Sequence, residues 1–146
     1  MNREIAALVK VGPAGIVQSN KSGIMNPGGL VFLEAEAVAR TAVEVASEKQ
    51  ASNIVMLDVE QVCSFTDYFV ICNGETRRHL EAIWQGIIDE LKKCGVVSHH
   101  SEGSSDSGWM LADFGSVIVH IFAPGERDYY QLDRLWDRAI PVLTIQ

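Results

Sequence analysis

The sequence predicts an α/β protein: a single domain with one mixed β-sheet and helices on both faces. Three observations lead there. Trp109–Phe122 (WMLADFGSVIVHIF) is apolar at most positions, as in strands whose sheet is covered on both sides. Leu80, Ile83, Trp84, Ile87, Ile88 and Leu91 fall at i, i+3, i+4, i+7, i+8 and i+11, a continuous helical stripe. Helix-like and strand-like segments alternate first, and several strands then follow one another, which gives a sheet of mixed direction. The chain has 146 residues, 47% of them apolar, enough for one core without disulfides or metal.

The elements follow in order. Residues 1–33 read as an extension outside the domain, holding Gly12, Pro13, Gly15, Gly23, Pro27, Gly28 and Gly29. The first helix is expected from Glu34 to Lys49, with a face of small residues at Ala35, Val38, Ala39, Ala42, Val45 and Ala46. Asn53–Asp58 (NIVMLD) and Tyr68–Cys72 (YFVIC) read as buried strands joined by a short connection. The striped helix around Leu80–Leu91 ends at Gly95. Val96–His99 suggests a short strand, and Ser101–Gly108 (SEGSSDSG) a flexible loop. Two strands then fill 109–122, with a tight turn at Phe114-Gly115. Pro124 opens a last helical segment that runs on to Trp136.

Composition narrows the function. The net charge is −7, and residues 102–146 carry three basic and seven acidic groups. No basic arm or patch stands out, so direct nucleic-acid binding is not expected, whereas a basic protein partner suits the charge. Cys63, Cys72 and Cys94 are odd in number and widely spaced, which fits a reducing, intracellular compartment. No apolar run reaches the roughly 20 residues that span a bilayer, so no membrane association is expected.

Catalytic signals are weak. There is no G-x-S-x-G elbow, no phosphate loop and no dinucleotide fingerprint. Adjacent His99 and His100 would point to opposite faces of a strand and would not share a metal easily. Asp58 and Glu60 bracket a strand end, where acids are commonly just solvated. Neither a cofactor nor a metal is expected, and the residues point to binding rather than catalysis.

Within 109–122 three side chains interrupt the apolar pattern: Trp109, Asp113 and His120. A two-residue turn at Phe114-Gly115 would set Trp109 directly opposite His120, but it demands positive φ at Phe114. A three-residue turn with a bulge at Gly115 would set Val119 there instead. Trp109 is either a core residue or an interface anchor, and the Gly/Ser-rich loop beside it favours partial exposure. Of Tyr129 and Tyr130, one is expected to pack inward and the other to be free to bind.

Three ordered motifs carry a resemblance: SFTDYFVICNG (Ser64–Gly74), GWMLADFGSVIVHIF (Gly108–Phe122) and ERDYYQLDRLW (Glu126–Trp136). Together they resemble the ribosomal silencing factor family, also called Iojap, over residues 34–137, which leaves 138–146 as a C-terminal tail. The resemblance implies a nucleotidyltransferase-like fold without enzymatic activity, in the cytoplasm. It implies binding to the large ribosomal subunit through its fourteenth ribosomal protein. That blocks joining of the small subunit and represses translation. Carried onto this chain, the contact surface comprises Trp109, Asp113 and His120, flanked by Glu102 and Tyr130. Phe114 stands where tyrosine is frequent in the family. The chain lacks the Gly-Ser plus Asp-x-Asp signature of the nucleotidyltransferases, so the fold alone does not imply their reaction. Two other functions fit the same fold: a nucleotide-binding or transferase enzyme, and a homodimer using the hairpin surface.

Overall fold

A computed structural model describes residues 33–146. The expected extension lies outside the described residues except for Leu33. Helix α1 spans Ala35–Glu48 and buries Ala35, Val38, Ala39, Ala42, Val43, Val45 and Ala46, so the small-residue face is the packed one. Helix α2 spans Arg77–Lys93 and buries Leu80, Ile83, Ile87 and Leu91. The Thr76 hydroxyl caps it by accepting from the His79 N–H at 3.0 Å. Gly95, at φ +84°, takes the left-handed turn that stops it.

Six strands form one sheet: β1 Ser52–Asp58, β2 Tyr68–Asn73, β3 His100–Ser104, β4 Trp109–Asp113, β5 Val117–Phe122 and β6 Ile140–Ile145. Their spatial order is β3-β4-β5-β2-β1-β6. β2 and β5 run parallel, and the other neighbours are antiparallel, so the sheet is mixed. Alternation along each strand feeds two cores. Ile54, Met56, Val70, Val119 and Ile121 face α1 and α2. Leu57, Phe69, Ile71, Leu111, Ile118 and Phe122 face the opposite side. That side is closed by two short helices, α3 (Pro124–Tyr130) and α4 (Leu132–Leu135), whose Tyr130 and Leu132 pack into the second core. Helices on both faces explain why the strands are greasy on both faces.

The structure departs from the sequence expectation in three elements. The short strand lies at His100–Ser104 rather than 96–99, so half of the expected loop is the sheet's edge. The last helical segment is broken at Gln131, which sits at φ 47°, ψ 50° and cannot continue a right-handed helix. Residues 138–146, expected as a tail, include strand β6, paired antiparallel with β1. Pro141 within it is tolerable because β6 is an edge strand, and the register shifts beside it, between Met56 and Leu57.

Candidate functional site

The 109–122 segment is a hairpin, but neither expected register occurs. Phe114 N–H donates to the Val117 carbonyl at 2.8 Å, which leaves Gly115 and Ser116 at the tip. Gly115 adopts φ +89°, so glycine, not Phe114, takes the positive φ that tight hairpins require. Phe114 is instead buried in the first core. This one-residue displacement of the turn pairs Trp109 with Phe122. His120 lies two residues back along β5, on the same face as Trp109 but diagonal to it. The Trp109 Nε1–H donates to His120 Nδ1 at 3.2 Å.

Trp109 is 3% exposed and His120 fully buried, which corrects the expectation that Trp109 is partly exposed. The cause is Tyr130 on α3, whose ring centroid lies 4.6 Å from that of Trp109. Trp109 also packs on Phe122 at 4.8 Å. Tyr129 meets Tyr130 edge-on at 5.0 Å and is itself 76% exposed. The four aromatics Phe122, Trp109, Tyr130 and Tyr129 thus step from core to solvent. Tyr130 is half-buried and Tyr129 free, as the paired tyrosines led one to expect. The carried-over contact surface, however, named Tyr130 and left out Tyr129, and sequence reasoning did not single out Leu135, a half-exposed leucine on α4. The break at Gln131 that sets their positions has no apolar signal.

His120 is neutral, because burial, aided by the Arg127 charge, pulls its pKa down to about 3. As Trp109 can only donate, Nδ1 is the bare nitrogen and the proton sits on Nε2, which has no hydrogen-bond partner. Asp113 is half-buried at the end of β4. Its Oδ1 accepts from the Gly115 N–H at 2.8 Å and so braces the turn. Burial raises its pKa, opposed by that bond and by His99 and His100. On β3, His100 pairs with Asp113 and Glu102 with Leu111. His100 Nε2 lies 2.7 Å from Glu102 Oε1. Strand alternation puts Glu102, Asp113, Trp109 and His120 on one side of the sheet, the side that α3 covers.

Nothing in this group is an activated nucleophile. Cys72 is fully buried, and burial pushes its thiol up to about 12. Asp58 accepts from the Glu60 N–H at 3.0 Å, which makes it a local turn cap. Among the described residues no group of three or more His, Cys, Asp and Glu side chains could hold a metal. Also among them, no helix is long and apolar enough to cross a membrane. What the arrangement offers is an aromatic prominence with carboxylates on the neighbouring strands, suited to docking a cationic protein surface.

Comparisons with known proteins agree with one another. Residues 33–146 match the family model described as "Ribosomal silencing factor during starvation". The ribosomal silencing factor of Bacillus subtilis is 35% identical over 104 residues, covering 71% of this chain and 88% of that protein. The mouse protein named for mitochondrial assembly of the ribosomal large subunit is 30% identical over 115 residues, covering 77% of this chain and 50% of that protein. Among solved structures, a Chromobacterium violaceum protein superimposes with a TM-score of 0.70 at 30% identity. It covers 72% of this chain and 88% of that one.

Proposed function

Because the chain belongs to the ribosomal silencing factor family, we propose that it binds the large ribosomal subunit and keeps the small subunit from joining. The contact is made through the basic fourteenth protein of that subunit. The observation that carries this reading is Tyr129, an exposed aromatic backed by half-buried Tyr130 and buried Trp109, with Glu102 and Asp113 on adjacent strands of the same sheet face. Exposed aromatics on rigid footing serve as interface anchors, and carboxylates complement a basic partner.

In this reading Trp109 and His120 act from beneath. They hold Tyr130 in place and do not touch the partner unless the surface opens. Glu102, Asp113 and Tyr130 lie close enough to solvent to take part. The chain acts in the cytoplasm and needs neither a cofactor nor catalysis, since occupancy of the joining face is sufficient. Its net charge of −7 disfavours direct contact with ribosomal RNA.

Sedimentation of the chain with purified large subunits tests this, paired with a subunit-joining assay. Binding to large but not small subunits, with fewer joined ribosomes as the chain is added, is the expected result. Absence of binding, or binding without any effect on joining, overturns the proposal.

A further inference from the structure

Helix α3 carries both tyrosines, yet none of its residues is buried. Seven residues form a helix too short to persist by itself, so something outside the backbone must hold it. Tyr130 supplies one contact through its ring. The other comes from Arg127. Its guanidinium forks onto the Asp133 carboxylate of α4, Nε to Oδ1 at 3.0 Å and Nη2 to Oδ2 at 2.9 Å. Its Nη1 donates to the Asn73 side chain at the end of β2, at 2.7 Å, and to the Asn53 carbonyl of β1, at 2.9 Å. One side chain therefore ties α3 to α4 and to two strands.

The receiving groups are unusually arranged. Asn53 sits at φ 48°, where the β1–β2 register shifts between Ser52 and Val55. Such an irregularity re-aims backbone groups, and here the Asn53 carbonyl meets Arg127. Gln131, at φ 47°, donates its N–H to the Arg127 carbonyl at 3.0 Å and turns the chain so that Asp133 can reach the fork. Two non-glycine residues in the left-handed region thus flank one arginine, and such strain persists only where the surroundings enforce it.

We infer that Arg127 is the positioning residue of the docking surface: through Asp133, Asn73 and the Asn53 carbonyl it fixes the pose of Tyr129 and Tyr130 without touching the partner. This rests on the proposed reading that these tyrosines engage the large subunit. Lysine cannot replace the arginine, because an ammonium cannot make the planar fork and the two further bonds together.

The test uses the full chain, its Arg127→Lys and Asp133→Asn variants, and three readouts: sedimentation with large subunits, thermal unfolding, and near-ultraviolet circular dichroism, which reports the packing of the aromatic rings, the Trp109–Tyr130 pair among them. Arg127→Lys is expected to bind about tenfold more weakly, as when interface anchors are mispositioned. Its melting point should fall by no more than about 4 °C, a shift of roughly 1 kcal/mol in a domain of this size, while the near-ultraviolet signal changes. Binding equal to wild type overturns the inference. If Arg127→Lys does not fold, Asp133→Asn decides: weaker binding by folded protein supports positioning, and binding in proportion to the folded fraction overturns it. If the unaltered chain does not bind large subunits, the proposed function fails. The near-ultraviolet signal then judges the clasp alone, with an unchanged spectrum in Arg127→Lys counting against it.

Discussion

The indole N–H of Trp109 donates to Nδ1 of His120 across a diagonal of the β4–β5 hairpin, 3.2 Å apart and wholly inside the protein. The bond fixes the imidazole tautomer and makes the tryptophan a structural floor beneath Tyr130. Trp109→Ala should therefore cost about 3–5 kcal/mol of stability, as large-to-small changes do in a packed core. Denaturant unfolding measures it. Large-subunit binding should fall with the folded fraction. A variant as stable as the parent would return Trp109 to the role of an exposed anchor.

Tyr129 makes the opposite prediction. It is 76% exposed, so Tyr129→Ala should change stability by no more than about 0.5 kcal/mol. Binding to large subunits should weaken by about 2 kcal/mol if it anchors the contact. Titration by sedimentation measures the second quantity, and unchanged affinity would remove Tyr129 from the interface.

Asp113 separates charge from turn geometry. Asparagine keeps an oxygen for the Gly115 N–H, so Asp113→Asn should fold as well as the parent, and better if losing a half-buried charge outweighs the bond. Its binding should weaken modestly and become less sensitive to salt. Asp113→Lys loses the turn bond and reverses the charge, so both stability and binding should fall. Equal binding by all three proteins would show that this carboxylate faces no basic partner.

The protein should lose stability in mild acid. His120 has a folded pKa of about 3, against an ordinary 6.5. Between those values the unfolded chain binds a proton that the folded chain refuses, so stability is complete above pH 6.5 and declines as the pH falls. The limiting slope for one group is about 1.4 kcal/mol per pH unit. Asp113, whose pKa burial raises, works the other way: the folded state takes up its proton before the unfolded chain does, which favours folding as the pH falls. Urea titrations at stepped pH should show a shallower decline in His120→Asn, whose side-chain oxygen can still accept from Trp109. An equal slope in the variant would assign the acid sensitivity elsewhere.

Helix α2 and the two hairpin strands were legible because their signals are local: an i, i+3, i+4 stripe and an apolar run around a glycine. The register was not, because it depends on which tip residue takes positive φ, and placing that demand on Gly115 moves the turn by one residue. β3 was expected four residues too early, at 96–99, because HSEGS has no apolar alternation and is held by β4 through its backbone. β6 was missed because its partner, β1, lies far back in the sequence. Whether Trp109 and His120 share a face was left open by the same uncertainty of register, and the observed register settles it. Their burial was not legible either, because the covering ring belongs to Tyr130 on a separate helix, held there by contacts with distant strands.

Removing β6 should accordingly do more than trim an end. β1 buries Ile54 and Met56 completely and pairs with β6 along its length. A chain stopped at Ala139 should melt at markedly lower temperature, or lose its cooperative transition, because the edge of β1 is stripped. A thermal scan showing the parent's midpoint would mean that β6 contributes nothing to the sheet.

The pairing of β6 with β1 also bears on how the chain is made. Synthesis delivers β1 before the other strands, yet the strand that covers its outer edge comes from residues 140–145. Until β6 emerges, the nascent sheet therefore carries a bare, apolar margin of the kind that recruits other strands. The sheet closes only after Ile145 has cleared the ribosomal exit, so the burial of that margin waits for a strand made after every other strand of the sheet.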